Sequence, residues 1–141
     1  MQIFKSNPQL PLLTKKLPLY GWRVPAGFPS PADDFIEKTL DLNQHLISHP
    51  EATFFVKVSG DSMIDAGIKE GDILIVDKSL EPSSGKIVIA VIDGEFTVKR
   101  WIKKGKQYFL QPENPNFPTI ELSTSSDIQI WGVVTAVIHS L

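Results

Sequence analysis

The 141-residue chain contains no cysteine. Disulfides, thiolate metal centres and a cysteine nucleophile are therefore excluded, and nothing opposes life in a reducing cytoplasm. Histidine is scarce, with His45, His49 and His139 scattered along the sequence. His45 and His49 stand four apart, but Leu46 takes the place of the glutamate that an HExxH zinc site requires. The three histidines read as surface or packing residues, and neither metal nor cofactor is expected. An excess of charge is missing too: 14 Lys+Arg against 16 Asp+Glu leaves −2, without the basic footprint of direct DNA binding. No apolar run approaches the ~20 residues that span a bilayer. Pro8, Pro11 and Pro18 also interrupt what would be the apolar stretch of a signal peptide. The expectation is a cytoplasmic protein without membrane contact.

What is present suits one compact domain with a short appendage, since hydrophobic residues at 42% and charged residues at 21% are ordinary for a globular chain. Residues 1–31 hold six of the eleven prolines. Proline removes an N–H donor and fixes φ, so this stretch cannot run as a regular helix or central strand. It reads as an extended arm over residues 1–30, ahead of a domain over 31–141. Ser30-Pro31-Ala32-Asp33 looks like a helix start, with Ser at the N-cap and Pro at the first helical position. Phe35, Ile36 and Leu40 continue at helical spacing, and Asp41 is a second cap before Leu42, Leu46 and Ile47. One broken helix or two short ones fit, and Pro50 stops them.

From residue 53 the pattern becomes β. Thr53–Val58, Asp72–Val76, Lys86–Ile92, Phe96–Trp101, Gln107–Leu110 and Ile128–Ile138 are rich in Val, Ile, Phe and Trp, and Gly and Pro punctuate them. Asp93-Gly94 between two such runs is a two-residue hairpin signal, and Lys104-Gly105-Lys106 is another reversal. Many short strands without intervening helices predict a mainly β fold, small, curled, partly open and mostly antiparallel.

Two segments could carry chemistry: Val58-Ser-Gly-Asp-Ser-Met-Ile64 and Phe96-Thr-Val-Lys-Arg-Trp101. In the first, a strand ends at Gly60 and leaves Ser62 at a strand-to-turn corner, where backbone N–H groups can converge on an oxyanion. In the second, Lys99 lies mid-strand and by alternation shares a face with Thr97 and Trp101. Lysine at its ordinary pKa of about 10.4 is protonated and cannot act as a base. Burial disfavours the charged form, and a neutral lysine can take the proton of a serine hydroxyl. Taken singly, each residue has a plain structural explanation. A serine in Gly-Asp-Ser is commonly a turn residue, and a strand lysine commonly guards a sheet edge.

The joint pattern says more. Ser59-Gly-Asp-Ser-Met63, Gly67-Ile-Lys-Glu-Gly-Asp-Ile-Leu-Ile-Val-Asp77, Thr97-Val-Lys-Arg100, Leu110-Gln-Pro-Glu-Asn-Pro115 and Trp131-Gly-Val-Val134 resemble, in order and spacing, the LexA/UmuD family of self-cleaving serine–lysine peptidases. The resemblance covers roughly residues 25–140. It implies Ser62 as nucleophile, Lys99 as general base and the Asp61 and Ser62 backbone amides as oxyanion hole. The family cuts its own chain between small residues, and Ala26-Gly27-Phe28-Pro29-Ser30-Pro31 resembles the UmuD cleavage segment, which makes Ala26–Gly27 the expected scissile bond.

Twenty-six proline-broken residues ahead of that bond cannot form the helix-turn-helix of a LexA-type repressor. A signal peptidase would need a membrane anchor. The UmuD branch remains. It implies a homodimeric accessory subunit of an error-prone, UmuC-like translesion DNA polymerase, processed on meeting a RecA–single-strand DNA filament in the SOS response to DNA damage. Gln9-Leu10-Pro11-Leu12-Leu13 resembles the short peptides by which bacterial replication proteins dock on the sliding clamp, with Gln9, Leu10, Leu12 and Leu13 as contacts. The alternative there is an apolar arm packing on its own domain. The rival for the whole chain is a non-catalytic regulatory module of the same fold, binding polymerase and clamp.

Overall fold

Runs of β-branched and aromatic residues broken by glycine pair here into antiparallel ladders, as the alternation predicts. In the computed structural model the described residues are 2–5, 16–20, 24–29, 36–122 and 127–141. Their strands are β1 (Gln2–Lys5), β2 (Leu17–Tyr20), β3 (Ile36–Leu40), β4 (Thr53–Lys57), β5 (Ile73–Asp77), β6 (Ile87–Ile92), β7 (Glu95–Lys104), β8 (Gln107–Gln111), β9 (Ile120–Glu121) and β10 (Ile128–Ile138). The chain forms two compact units, Met1–Pro8 with His49–Leu141 and, separately, Gln9–Ser48.

The larger unit is one antiparallel sheet in the order β1-β4-β5-β10-β6-β7-β8-β9, open rather than closed into a barrel. Two hairpins set the register around β7. Asp93 (φ 49°) and Gly94 (φ 83°) both take the left-handed conformation that a tight primed turn requires. That turn opens the pairing at Ile92↔Glu95 and so starts β7 at Glu95. Gly105 closes the β7–β8 pairing at Lys104↔Gln107, so β7 extends three residues past the expected Trp101. Bulges interrupt β10 between Ile130 and Gly132 and again between Val134 and Ala136. Gly132 is needed there: a Cβ on it would stand 2.6 Å from Val76 Cγ1.

Strand alternation sorts the core into two clusters. Val56, Val58, Met63, Ile68, Leu74, Val76, Ile89 and Val98 form the first. Val88, Ala90, Leu110 and Val133 form the second, with Trp101 packed against it. Consecutive residues Val88 and Ile89 of β6 therefore serve opposite clusters, as a period of two demands.

The smaller unit corrects one expectation. Residues 36–40 form strand β3, paired with β2 from Leu17↔Leu40 to Tyr20↔Ile36, rather than a helix. Ile36 and Leu40 fit a helical spacing, but so short a run does not distinguish the two periods, and the partner strand decides. Pro18 is tolerated in β2 because each strand of a two-stranded ribbon is an edge. The proposed helix start at Ser30–Phe35 lies outside the described residues. The second helical reading holds: α1 spans Leu42–Leu46, and its N-cap Asp41 accepts from the Asn43 N–H at 2.9 Å. Among the described residues no helix is long and apolar enough to cross a membrane.

Candidate active site

The Ser62 corner is built from both sides. After β4, Val58 exchanges backbone hydrogen bonds with the 71–72 segment: its N–H donates to the Asp72 carbonyl and its carbonyl accepts from Gly71, each at 2.9 Å. Gly60 (φ 85°) then turns the chain. Met63, 2% exposed, anchors the far side in the first core cluster. A short 3-10 turn, Ile64–Ala66, follows and is closed by the Ala66 N–H on the Met63 carbonyl at 3.0 Å. Ser62 is thus held, half-buried, between an anchored strand end and a buried methionine.

Lys99 comes to it from β7. It stands opposite Val88 in the register, with Thr97 and Trp101 on its own face, as alternation predicted. It is 8% exposed, although it is a lysine. Its Nζ lies 3.3 Å from Ser62 Oγ, 2.6 Å from Thr97 Oγ1 and 3.1 Å from the Val98 carbonyl oxygen. No carboxylate pairs with this amine among the described residues. Desolvation therefore acts unopposed and holds the Lys99 amine below its usual 10.5. A buried amine beside a serine hydroxyl can, in its neutral form, accept that proton. Thr97, by using its hydroxyl on the amine, fixes where Nζ sits.

The two backbone amides expected to bind an oxyanion, those of Asp61 and Ser62, donate to no acceptor among the described residues. A cavity of about 80 Å³ adjoins Ser62, with a mixed wall in which Val58, Met63, Phe96 and Val98 stand beside Ser59, Gly60 and Thr97. A second, of about 500 Å³, reaches Lys99 and includes Ile92, Glu95 and Ile120. Ala26 and Gly27 occupy an exposed bend of the smaller unit, where no atom of the described residues lies within 4 Å of a Cβ built on Gly27. Gln9, Leu10, Leu12 and Leu13 lie outside the described residues.

Sequence reasoning gave no role to Thr97 or to the Pro112–Phe117 loop. The loop supports both segments of the site: Arg100, next to Lys99, donates to the Glu113 carboxylate, and Asn114 donates to the Asp61 carbonyl at 3.0 Å. Only the appearance of Pro112-Glu-Asn-Pro115 in the family pattern hinted at it. Two of the three histidines have aspartate partners. His49 Nδ1 lies 2.6 Å from Asp77 and His139 Nδ1 2.6 Å from Asp72. Burial works to raise both aspartates. Hydrogen bonds from the Lys69 backbone and His139 to Asp72, and from Ser79 and His49 to Asp77, outweigh it and hold both below 3.8. No group of three or more His, Asp and Glu among the described residues could hold a metal ion.

A serine set against a buried lysine on an open antiparallel sheet is an arrangement that could serve a peptidase. The pattern of the Peptidase S24-like family matches residues 18–135. SamA of Salmonella typhimurium is 52% identical over 122 residues, covering 86% of this chain and 84% of its own. ImpA of Escherichia coli is 51% identical over 124 residues, covering 86% of this chain and 83% of its own. MucA of Escherichia coli is 45% identical over 126 residues, covering 89% and 84%. The chain belongs to the Peptidase S24-like family.

Proposed function

We propose that this chain is a self-cleaving serine peptidase that cuts its own Ala26–Gly27 bond, with Ser62 as nucleophile and Lys99 as base. One observation carries the reading: a buried lysine amine, with no carboxylate partner among the described residues, 3.3 Å from a serine hydroxyl. Neutral Lys99 takes the Ser62 proton as Oγ attacks the Ala26 carbonyl carbon. The developing oxyanion is bound by the Asp61 and Ser62 N–H groups. The tetrahedral intermediate collapses, the Lys99 ammonium protonates the departing Gly27 nitrogen, and water then hydrolyses the acyl-serine with the amine again as base. The roughly 80 Å³ cavity beside Ser62 suits a side chain as small as that of Ala26. Cleavage leaves residues 27–141, a product of 115 residues.

The resemblance to the UmuD branch supports the wider role: a cytoplasmic homodimer, processed on a RecA–single-strand DNA filament, that serves a translesion polymerase in the SOS response. The arm carries Gln9–Leu13 as a sliding-clamp motif. On this reading the chain makes no direct contact with DNA or membrane. The test incubates the chain at neutral pH with and without the filament and follows its intact mass. Filament-stimulated appearance of a product beginning at Gly27 in the parent, absent from Ser62→Ala, supports the proposal. A parent that stays whole returns the chain to the binding-module reading.

A further inference from the structure

The Pro112–Phe117 loop has no part in the chemistry above, yet it is tied to the nucleophile turn at two points. The Glu113 carbonyl accepts from the Asp65 N–H at 2.8 Å. Asn114, 9% exposed, donates from Nδ2 to the Asp61 carbonyl at 3.0 Å across 53 residues of sequence. Asn114 Oδ1 accepts from the Asn116 N–H at 3.0 Å, which fixes the end of the amide that faces Asp61. The ion pair between Arg100 and Glu113 holds the loop to the strand that carries Lys99.

The carbonyl that Asn114 grips and the Ser62 N–H belong to the same peptide unit. That unit is planar and trans, so its C=O and N–H point in opposite directions and can only swing together. Fixing the oxygen therefore fixes the N–H. A flip of the unit would turn the Ser62 N–H away from the attacked carbonyl and leave the buried Asn114 donor unpaired. The Ile64 N–H, 3.2 Å from the same oxygen, adds a second, longer tie.

We infer that Asn114 is a positioning residue: by holding the Asp61 carbonyl it aims the Ser62 N–H at the oxygen that becomes negative as Ser62 attacks. The inference rests on the reading of Ser62 and Lys99 as nucleophile and base. A purely structural role makes a different prediction. If Asn114 only closed its own loop through Asn116, aspartate would serve equally, because its carboxylate accepts the same N–H. Aspartate cannot donate to Asp61.

Self-cleavage of the full chain is followed by intact mass across alkaline pH for the parent, Asn114→Asp, Asn114→Ala and Ser62→Ala, with thermal unfolding of each. Outright loss of an oxyanion donor slows an enzyme by roughly 10²–10³-fold. A donor kept but misaimed should cost about 10- to 100-fold in the plateau rate of both Asn114 variants. The pH at which the rate levels off should stay at the parent's value in the uncharged Ala variant. The inference is overturned if Asn114→Asp keeps the parent's plateau rate. A plateau loss in Asn114→Ala accompanied by a moved pH dependence also overturns it, as does loss of cooperative unfolding in both variants. If only one variant folds, that one decides. Any of these results leaves the Ser62–Lys99 reading standing, whereas a parent that shows no Ser62-dependent cleavage overturns that reading and the inference together.

Discussion

Raising the pH of the purified chain from 7 towards 10 should accelerate self-cleavage about tenfold per pH unit until the rate bends and levels off. The slope follows from the fraction of Lys99 that is neutral. At its ordinary 10.5, a lysine at pH 7.5 is neutral in only about one molecule in a thousand. Burial disfavours the ammonium of Lys99, so the bend must fall below 10.5. The same displacement has a stability counterpart of definite sign. Below the bend both folded and unfolded chains carry the proton, and the folded state bears the whole cost of burying the charge. Between the bend and 10.5 only the unfolded chain binds it, so stability rises with pH through that window. Lys99→Met, which buries no charge, should therefore be the more stable protein below the bend. The gain is about 1.4 kcal/mol for each pH unit between the measured bend and 10.5. Rate profile and urea unfolding must thus agree on one number. Lys99→Arg, protonated at every accessible pH, should fold and never cleave. A pH-independent rate, or cleavage by the arginine variant, refutes Lys99 as the base.

Gly132→Ala should destabilise the fold by about 1–3 kcal/mol in urea unfolding, because its Cβ meets Val76 Cγ1 at 2.6 Å within the β5–β10 pairing. Asp72 and Asp77, both held below 3.8, stabilise the fold above that pH and lose their contribution as pH falls through their lowered values. Asp72→Asn should accordingly flatten the acid limb of a stability–pH curve, and an unchanged limb would contradict this. Ala26→Trp should stop processing without unfolding the chain, since the cavity of about 80 Å³ beside Ser62 has no room for an indole; continued cleavage at the same bond would show that the cavity does not receive this side chain.

The β-sheet was largely legible because glycine and proline mark its strand ends and β-branched residues fill its strands. The register around β7 follows from the two turns the sequence marks, Asp93-Gly94 and Lys104-Gly105-Lys106. The ribbon of β2 and β3 was not legible: Pro18 argued against a strand, Ile36 and Leu40 suited a helix, and only the pairing of the two segments decides between them. Lys99 was legible as a member of a face shared with Thr97, which the 2.6 Å contact bears out. Its burial was not, because that depends on Val88 across the register and on the sheet's second cluster. Asn114 escaped notice because its partner lies 53 residues away and is a backbone carbonyl, which carries no sequence signature. The contacts of His49 with Asp77 and of His139 with Asp72 were not legible, because these pairs lie 28 and 67 residues apart rather than in local spacing.

The most direct test needs no other protein. The chain and its Ser62→Ala variant are purified in parallel, incubated alone at alkaline pH, and their intact masses followed with time. The parent should convert to a species of 115 residues beginning at Gly27 while Ser62→Ala stays whole. Equal cleavage of both, or none in either at any pH, would contradict self-processing by Ser62.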